Sequence, residues 1–388
     1  MNAVRKTVLL RIPLLLMLIP SGSVSADPGY PVPPSDIAIQ DALDYLRAQQ
    51  AADGSIGGFA DSAWVCIAVA AAGENPNTWD NGGSSLVDYL KDGPADLSGE
   101  FNMGTFLSRM VLAAVAAGED PSAFGTWSGS NAGVTIVNGD YLSALESLYN
   151  GSQFLQDLTG DPDSAHTLND DFWAVRALIV AGASPFSSMA HNSAQYIVDF
   201  QESDGGWTWG TPDHTWYAPD STDVDNTAAA VVALCLCRQG SSAAVQDGLS
   251  YLEANQDTGG GFGSIWMGVN VQSTAWAVDA IGAAGGNPAG GAWTPDSASP
   301  IDYLLASQDT DGSFGGLVRS TSDVIIALVG GYYRTSSSVV EPVAVGGEAF
   351  SPAKVGLLLT PLMLMSGCIA LGVMLVKRRL SRGVPPAP

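Results

Sequence analysis

Two kinds of helix alternate along residues 36–334. In IDYLLASQ, Ile301, Leu304 and Leu305 share one face and Asp302 lies on another, the stripe of a half-exposed helix. SAWVCIAVAAAGENP, FLSRMVLAAVAAGEDP, DFWAVRALIVAGASP and TAWAVDAIGAAGGNP are apolar nearly all round, which predicts buried helices. Each of these stops at Gly and is closed by Pro. Before the buried kind comes a turn, as in YLRAQQAADGSIGGF, IVDFQESDGGWTW, YLEANQDTGGGFG and YLLASQDTDGSFGG: a helix ending in Gln, an Asp-Gly or Gly-rich turn, and an aromatic. Six such units begin near Gln40, Ser84, Tyr141, Asn192, Ala244 and Pro300. Their period of roughly 45 to 55 residues is that of stacked helix pairs. The predicted fold is all-α: an α/α toroid in which six buried helices are ringed by six half-exposed ones, a closed double barrel that needs no end caps.

The ends read differently. Arg5, Lys6 and Arg11, the apolar core Ile12 to Ile19 and the small residues Val24-Ser25-Ala26 predict an export signal over 1–26, followed by a lead-in over 27–35. After the toroid, a linker over 335–354 leads to Val355–Val376, 22 residues without a charge, which predicts a single transmembrane helix. Lys377, Arg378, Arg379 and Arg382 in the 377–388 tail would hold that end in the cytoplasm. The expected location is a single-pass cell-membrane protein with its toroid outside.

Charge narrows the partners. Between signal and tail stand eight basic residues against 39 acidic ones, a balance of −31. Such a field repels nucleic acid and favours cations or cationic partners. Cys66, Cys235 and Cys237 sit in apolar helical runs and read as buried small hydrophobes, a Cys66 bridge to one of the others being the alternative. Cys368 falls in the predicted span.

Candidate chemistry gathers where the buried helices begin. Asp61, Asn102, Asp170 with Asp171, Asp225 with Asn226, Gln272 and Asp323 fall at or near those starts. Each could cap its helix, for about 1 kcal/mol, or face a ligand at the barrel mouth. Trp207, Trp209, Trp216 and Tyr217 come just before the fourth buried helix, DVDNTAAAVVALCLC. Their faces could stabilise cations, line a cleft or fill the top of a core. The acidic run DLTGDPDSAHTLNDD, residues 157–171, lacks the spacing of an EF-hand loop and reads as a solvated loop in which Asp170 and Asp171 cap the next helix. No metal site is expected: His166, His191 and His214 are the only histidines, and none lies in the last two units.

The Gln-x-x-Asp-Gly-Gly-aromatic turns followed by Thr-Ala helices resemble the prenyltransferase and squalene-cyclase repeat, over about residues 36–334. The resemblance implies the same toroid, which serves cyclases, prenyltransferases, thioester proteins and cobalamin carriers alike. No Cys-Gly-Glu-Gln stretch is present, which sets the thioester class aside. DVDNTA is similar to the Asp-x-Asp-Asp-Thr-Ala motif of squalene-hopene-type class II terpene cyclases. That implies Asp225 as the general acid, beside Asp223, with Thr227 and Ala228 also matching. Asn226 stands where the family has a third acid, and an amide cannot help hold a proton on Asp225 by like-charge repulsion. Val224, Asp225, Ala228 and Cys235 are also similar to the signature of intrinsic factor and transcobalamin carriers. That resemblance implies cobalamin as a ligand, although those carriers' second, β-rich domain has no counterpart here.

The expected function is thus an exported, membrane-anchored toroid that binds a small ligand, corrinoid or isoprenoid-like, or an extracytoplasmic protein at its mouth, with no resident cofactor. The alternatives are a class II terpene cyclase with Asp225 as acid, and a purely structural surface protein.

Overall fold

The computed structural model describes residues 29–331, apart from 101 and 220, and two dipeptide strands, Ala344–Val345 and Glu348–Ala349, paired antiparallel. The expected export signal, transmembrane segment and tail lie outside the described residues. Among those described, no helix is long and apolar enough to cross a membrane.

Twelve helices are described, in six pairs. In chain order they are α1 (Ile37–Ala48) and α2 (Phe59–Ala71), α3 (Leu86–Lys91) and α4 (Met103–Ala116), α5 (Tyr141–Glu146) and α6 (Leu168–Val180). There follow α7 (Ser188–Asp199) and α8 (Val224–Leu236), α9 (Ala243–Ala254) and α10 (Val271–Ala283), α11 (Pro300–Ala306) and α12 (Val318–Leu328). Two hairpins project from the connections: β1 (Gly129–Asn131) with β2 (Val134–Ile136), and β3 (Phe262–Ser264) with β4 (Gly268–Asn270).

The even-numbered helices form the inner ring. Each packs on the next, and α12 packs on α2, so the ring is closed. Burial follows the apolar pattern: α8 is buried on every side from Val224 to Cys235, whereas α1 buries only the stripe Ala38, Ile39, Ala42, Leu43 and Leu46. Each outer helix leans on the inner helix before it, and α1 leans on α12. The first helix therefore completes the last pair.

The recurring Gln explains how the units join. Gln50, Gln201, Gln256 and Gln308 each donate through Nε2 to the carbonyl of the turn glycine four residues on, at 3.2, 2.8, 3.0 and 3.0 Å. The same nitrogens also reach the next unit, at the carbonyls of Trp79, Ala244 and Trp293 and, for Gln308, that of Ala38 in α1, at 2.8 to 2.9 Å. The Val32 amide adds a bond to the Leu328 carbonyl at 2.8 Å. Gly312, with φ of 87°, sits against the Asp41 carbonyl, where no Cβ fits. Ring closure thus reuses the unit-to-unit contact.

Inner helices begin and end in a fixed way. The backbone N–H of the turn's apolar residue (Ile56, Trp207, Phe262, Phe314) donates to a hydroxyl in the following helix's first turn, on Ser62, Thr227, Thr274 or Thr321, at 2.9 to 3.1 Å. At the other end all six close with a bond from the second residue beyond the cap to the carbonyl five positions earlier, as in Glu74 to Val69 and Gly331 to Ile326. Five of the six turn there on a glycine with positive φ, whereas α8 does so on Arg238, at φ of 60°.

Candidate functional site

All six inner helices start at one end of the barrel, so their first turns form a mouth. At α8, Asp223 is the N-cap: it accepts the Asn226 amide N–H at 2.7 Å and Asn226 Nδ2 at 2.9 Å. Capping falls to Asp223, not to Asp225 and Asn226 as expected from the sequence. Those two are buried in the first turn.

Asp225 is held differently from its neighbour. Its Oδ1 is buried without a hydrogen-bond partner among the described residues. Burial raises its pKa, the Asp223 charge raises it further, Ser273 opposes the shift, and Asp323 adds to it. Asp223 is also raised by burial, but the bonds from Asn226 restrain it. Of the two, Asp225 is shifted further towards its neutral form. The like charge that an acid at position 226 would have supplied comes in part from α12, through Asp323.

Asp323 lies one and a half turns into α12 and does not cap it. Its Oδ2 accepts Arg319 Nε at 2.9 Å and Gln272 Nε2 of α10 at 3.2 Å. Burial still pushes it up to about 6, against the pull of Arg319 and Gln272. Asp225, Gln272 and Asp323 thus come together from three consecutive inner helices.

Below Asp225 and Gln272, at the level of Asp323, lies a set of aromatic and charged residues that the sequence reading passed over. Trp64 of α2 and Trp173 of α6 pack edge to face, with ring centroids 5.9 Å apart, although α4 stands between their helices. Both therefore face the bore. Trp276 of α10 occupies the equivalent position, so tryptophan recurs on every second inner helix, and Ser108, Ala229 and Asp323 stand on the others. The Arg319 guanidinium covers Trp64 at 3.5 Å from the centroid, and that of Arg176 covers Trp173 at 4.5 Å. Arg176 also donates to the Ala229 carbonyl at 2.5 Å, and Arg109 approaches Glu100 at 3.6 Å. Asp279 is buried two turns below Gln272. Burial raises its pKa well above the usual carboxylate range, and the Arg176 charge opposes this. The recurrence of Trp in SAWVC, DFWAV and TAWAV was the available signal.

Of the remaining candidates, Asp61 stays within electrostatic reach of Arg319 and Asp323, and the others disperse. Asp171 occupies the position of Thr227 and its counterparts: its Oδ1 accepts the Phe154 N–H at 3.0 Å, inside the wall rather than at the mouth. Burial pushes it up to about 8. Asp170 is buried between α6 and α4, where Gly104 leaves room for its carboxylate, and burial raises its pKa well above the usual range. Thr167, not Asp170 or Asp171, holds the N-cap position of α6. Asp61 is half-buried in the first turn of α2, its Oδ2 3.5 Å from the Gly58 amide. Asn102 caps α4 through the Thr105 N–H at 2.8 Å.

Trp207 belongs to the core between the helix layers. Its Nε1 donates to the Ile197 carbonyl of α7 at 2.7 Å, and its ring lies against Gly248 of α9. Trp209, His214 and Trp216 cluster on the rim, with Trp209 and Trp216 stacked at 6.5 Å and Trp216 exposed. Tyr217 donates to Glu202 Oε1 at 2.9 Å. The acidic run supports this loop, Asp163 accepting both the N–H and the hydroxyl of Thr215 at 2.9 Å. Among the described residues, no group of three or more His, Cys, Asp or Glu could hold a metal ion. Cys66, Cys235 and Cys237 are free and buried.

A family model, the squalene-hopene cyclase C-terminal domain, matches residues 168–270, a stretch that includes Asp223 and Asp225. Among solved structures, the type II terpene cyclase MstE from Scytonema is similar at 13% identity, with 75% of this chain and 96% of that one covered and a TM-score of 0.48. The ent-copalyl diphosphate synthase from Streptomyces platensis is similar at 19% identity, with 70% and 50% covered and a TM-score of 0.46. No curated protein sequence matches the chain. The fold itself is an α/α toroid of six helix pairs.

Proposed function

We propose that this toroid acts as a class II terpene cyclase, with Asp225 as the acid that starts the reaction. The observation that carries this reading is the setting of Asp225: buried, with burial and the Asp223 charge raising its pKa and one oxygen unpartnered, inside the stretch that matches the cyclase domain. A neutral carboxylic acid in a poorly solvated site is a competent proton donor. Its proton adds to one carbon of an isoprenoid double bond. A C–H bond forms as the π bond breaks, and a tertiary carbocation remains beside the Asp225 carboxylate. Attack by the next double bond closes a ring and moves the charge along the chain until a proton leaves. The product is an isomer of the substrate, and Asp225 must regain a proton before the next turnover. Trp276 supplies an aromatic wall for the passing charge.

A second reading, ligand binding at the mouth without chemistry, has one observation in its favour. The protein's own guanidinium groups cover Trp64 and Trp173, two of the three tryptophans that would otherwise receive a carbocation. Under this reading the bore takes a small polar-headed or corrinoid ligand.

The test is incubation of the full-length protein with linear polyprenyl compounds, followed by gas chromatography coupled to mass spectrometry, which separates cyclic isomers from the substrate of equal mass by retention and fragmentation. Cyclic products with wild type and none with Asp225→Asn support the cyclase. A bound, unchanged ligand retained by both proteins supports binding alone.

A further inference from the structure

We propose that Arg176 limits the reaction started at Asp225 to a single ring closure. The inference rests on the cyclase reading and sets how far such a reaction runs. Arg176 stands on α6, yet it donates to the Ala229 carbonyl of α8, and its charge bears on Asp279 of α10. In the ring α8 lies between α6 and α10, so a side chain that acts on both reaches across the bore. It is buried there, with its guanidinium over Trp173 at 4.5 Å from the centroid.

The level of that guanidinium decides what can happen beneath Asp225. Ala229 follows Asp225 by four residues, about 6 Å along the helix. Trp276 follows Gln272 by the same interval on α10. Helical carbonyls point towards the C-terminal end, so the guanidinium lies just beyond the level that Ala229 and Trp276 mark. Between Asp225 and that level there is depth for one ring of carbons. Once the first ring has closed, the positive charge sits on a tertiary carbon beside Trp276, the tryptophan that neither Arg176 nor Arg319 covers. A second closure would carry the charge onto the guanidinium, against a like charge in a poorly solvated space. Asp279 stands lower still, and burial pushes it towards its neutral form, so it offsets Arg176 only in part.

The charge is therefore quenched after one ring. A C–H bond next to the cationic carbon breaks, its electron pair forms a new double bond, and the proton passes to the Asp225 carboxylate left by the first step. The neighbouring carboxyls are already engaged, Asp223 by Asn226 and Asp323 by Arg319 and Gln272. Asp225 is thereby restored as the acid, and the product is a monocyclic isomer. Only the last two isoprene units need to lie below the mouth. The substrate class that fits is a polyprenyl chain whose remainder extends outside the bore.

The test gives the full-length protein all-trans-geranylgeraniol and the longer solanesol, whose double bonds permit several rings. Each ring removes one double bond, so hydrogen uptake on catalytic hydrogenation of the separated products, read by mass, counts the rings. Wild type is expected to give monocyclic products alone from both. Arg176→Met removes the charge and should raise the share of products with two or more rings at least several-fold, whereas Arg176→Lys keeps the charge and should stay at one ring. Because Asp279 loses its counter-charge in Arg176→Met, the double variant with Asp279→Asn is measured beside it, and melting temperatures establish which proteins are folded. Polycyclic products from wild type, or a product still wholly monocyclic from a folded variant without the charge, overturn the proposal and leave the cyclase reading standing. Absence of any cyclic product from wild type removes the cyclase reading, and the proposal with it.

Discussion

Asn226 donates through Nδ2 to Oδ2 of Asp223 at 2.9 Å, and this one bond separates the roles of two carboxylates a residue apart. Asp223, bonded twice by Asn226, serves the helix end, and Asp225 is the carboxyl that burial and its neighbour push further towards the neutral form. Asn226→Asp would replace a donor with a like charge. It is expected to destabilise the fold at neutral pH by about 1–3 kcal/mol, and less in acid, where the new carboxyl is protonated and can donate again. Urea unfolding at the two pH values checks this.

Asp171 does the work of a hydroxyl. It accepts the Phe154 N–H as Thr227 accepts that of Trp207, yet it is a buried carboxyl. Asp171→Thr is expected to keep the fold and to raise stability at alkaline pH. Asp171→Ala leaves a buried amide unsatisfied and should cost about 1–3 kcal/mol. Comparison of the two unfolding midpoints separates hydrogen bond from charge.

Stability should fall as pH rises. Asp171, pushed up to about 8, and Asp323, to about 6, keep protons in the folded state that the unfolded chain releases near its ordinary carboxyl pKa. Their contribution is full below about pH 4 and is lost as pH rises through the folded values. Asp170 and Asp279, raised in the same direction, add to the trend. Melting temperature measured across this range is expected to decline, and Asp171→Thr should remove part of the decline at its alkaline end.

Arg238 ends α8 in the left-handed region that glycine fills for the other five inner helices. Arg238→Gly is expected to stabilise the protein by about 1 kcal/mol. The gain is reduced by loss of the guanidinium's contact with Phe186, 5.8 Å from the ring centroid. Unfolding midpoints of the two proteins test it.

The toroid was legible because its signals are repeated and local. Apolar period, Gln-to-Gly turns and Gly-Pro stops each act within a few residues, and the same turn contact closes the ring. The site was legible only in part, for a related reason. Sequence position does not tell a helix start facing the bore from one facing the wall, and the two look alike in DVDNTA and NDDFWA. Asp225 lines the mouth while Asp171 reaches back to Phe154, and Trp207 is drawn between the helix layers by the Ile197 carbonyl. Arg319 joins the site through its bond to Asp323 and its place over Trp64 of α2, which no local pattern records.

The central claim is that Asp225 is a neutral acid at neutral pH, and infrared difference spectroscopy tests it most directly. Wild type minus Asp225→Asn should show the carbonyl stretch of a protonated carboxyl at neutral pH, converting to carboxylate bands only in alkali. Carboxylate bands alone at neutral pH would contradict the account, because an ionised Asp225 has no proton to give.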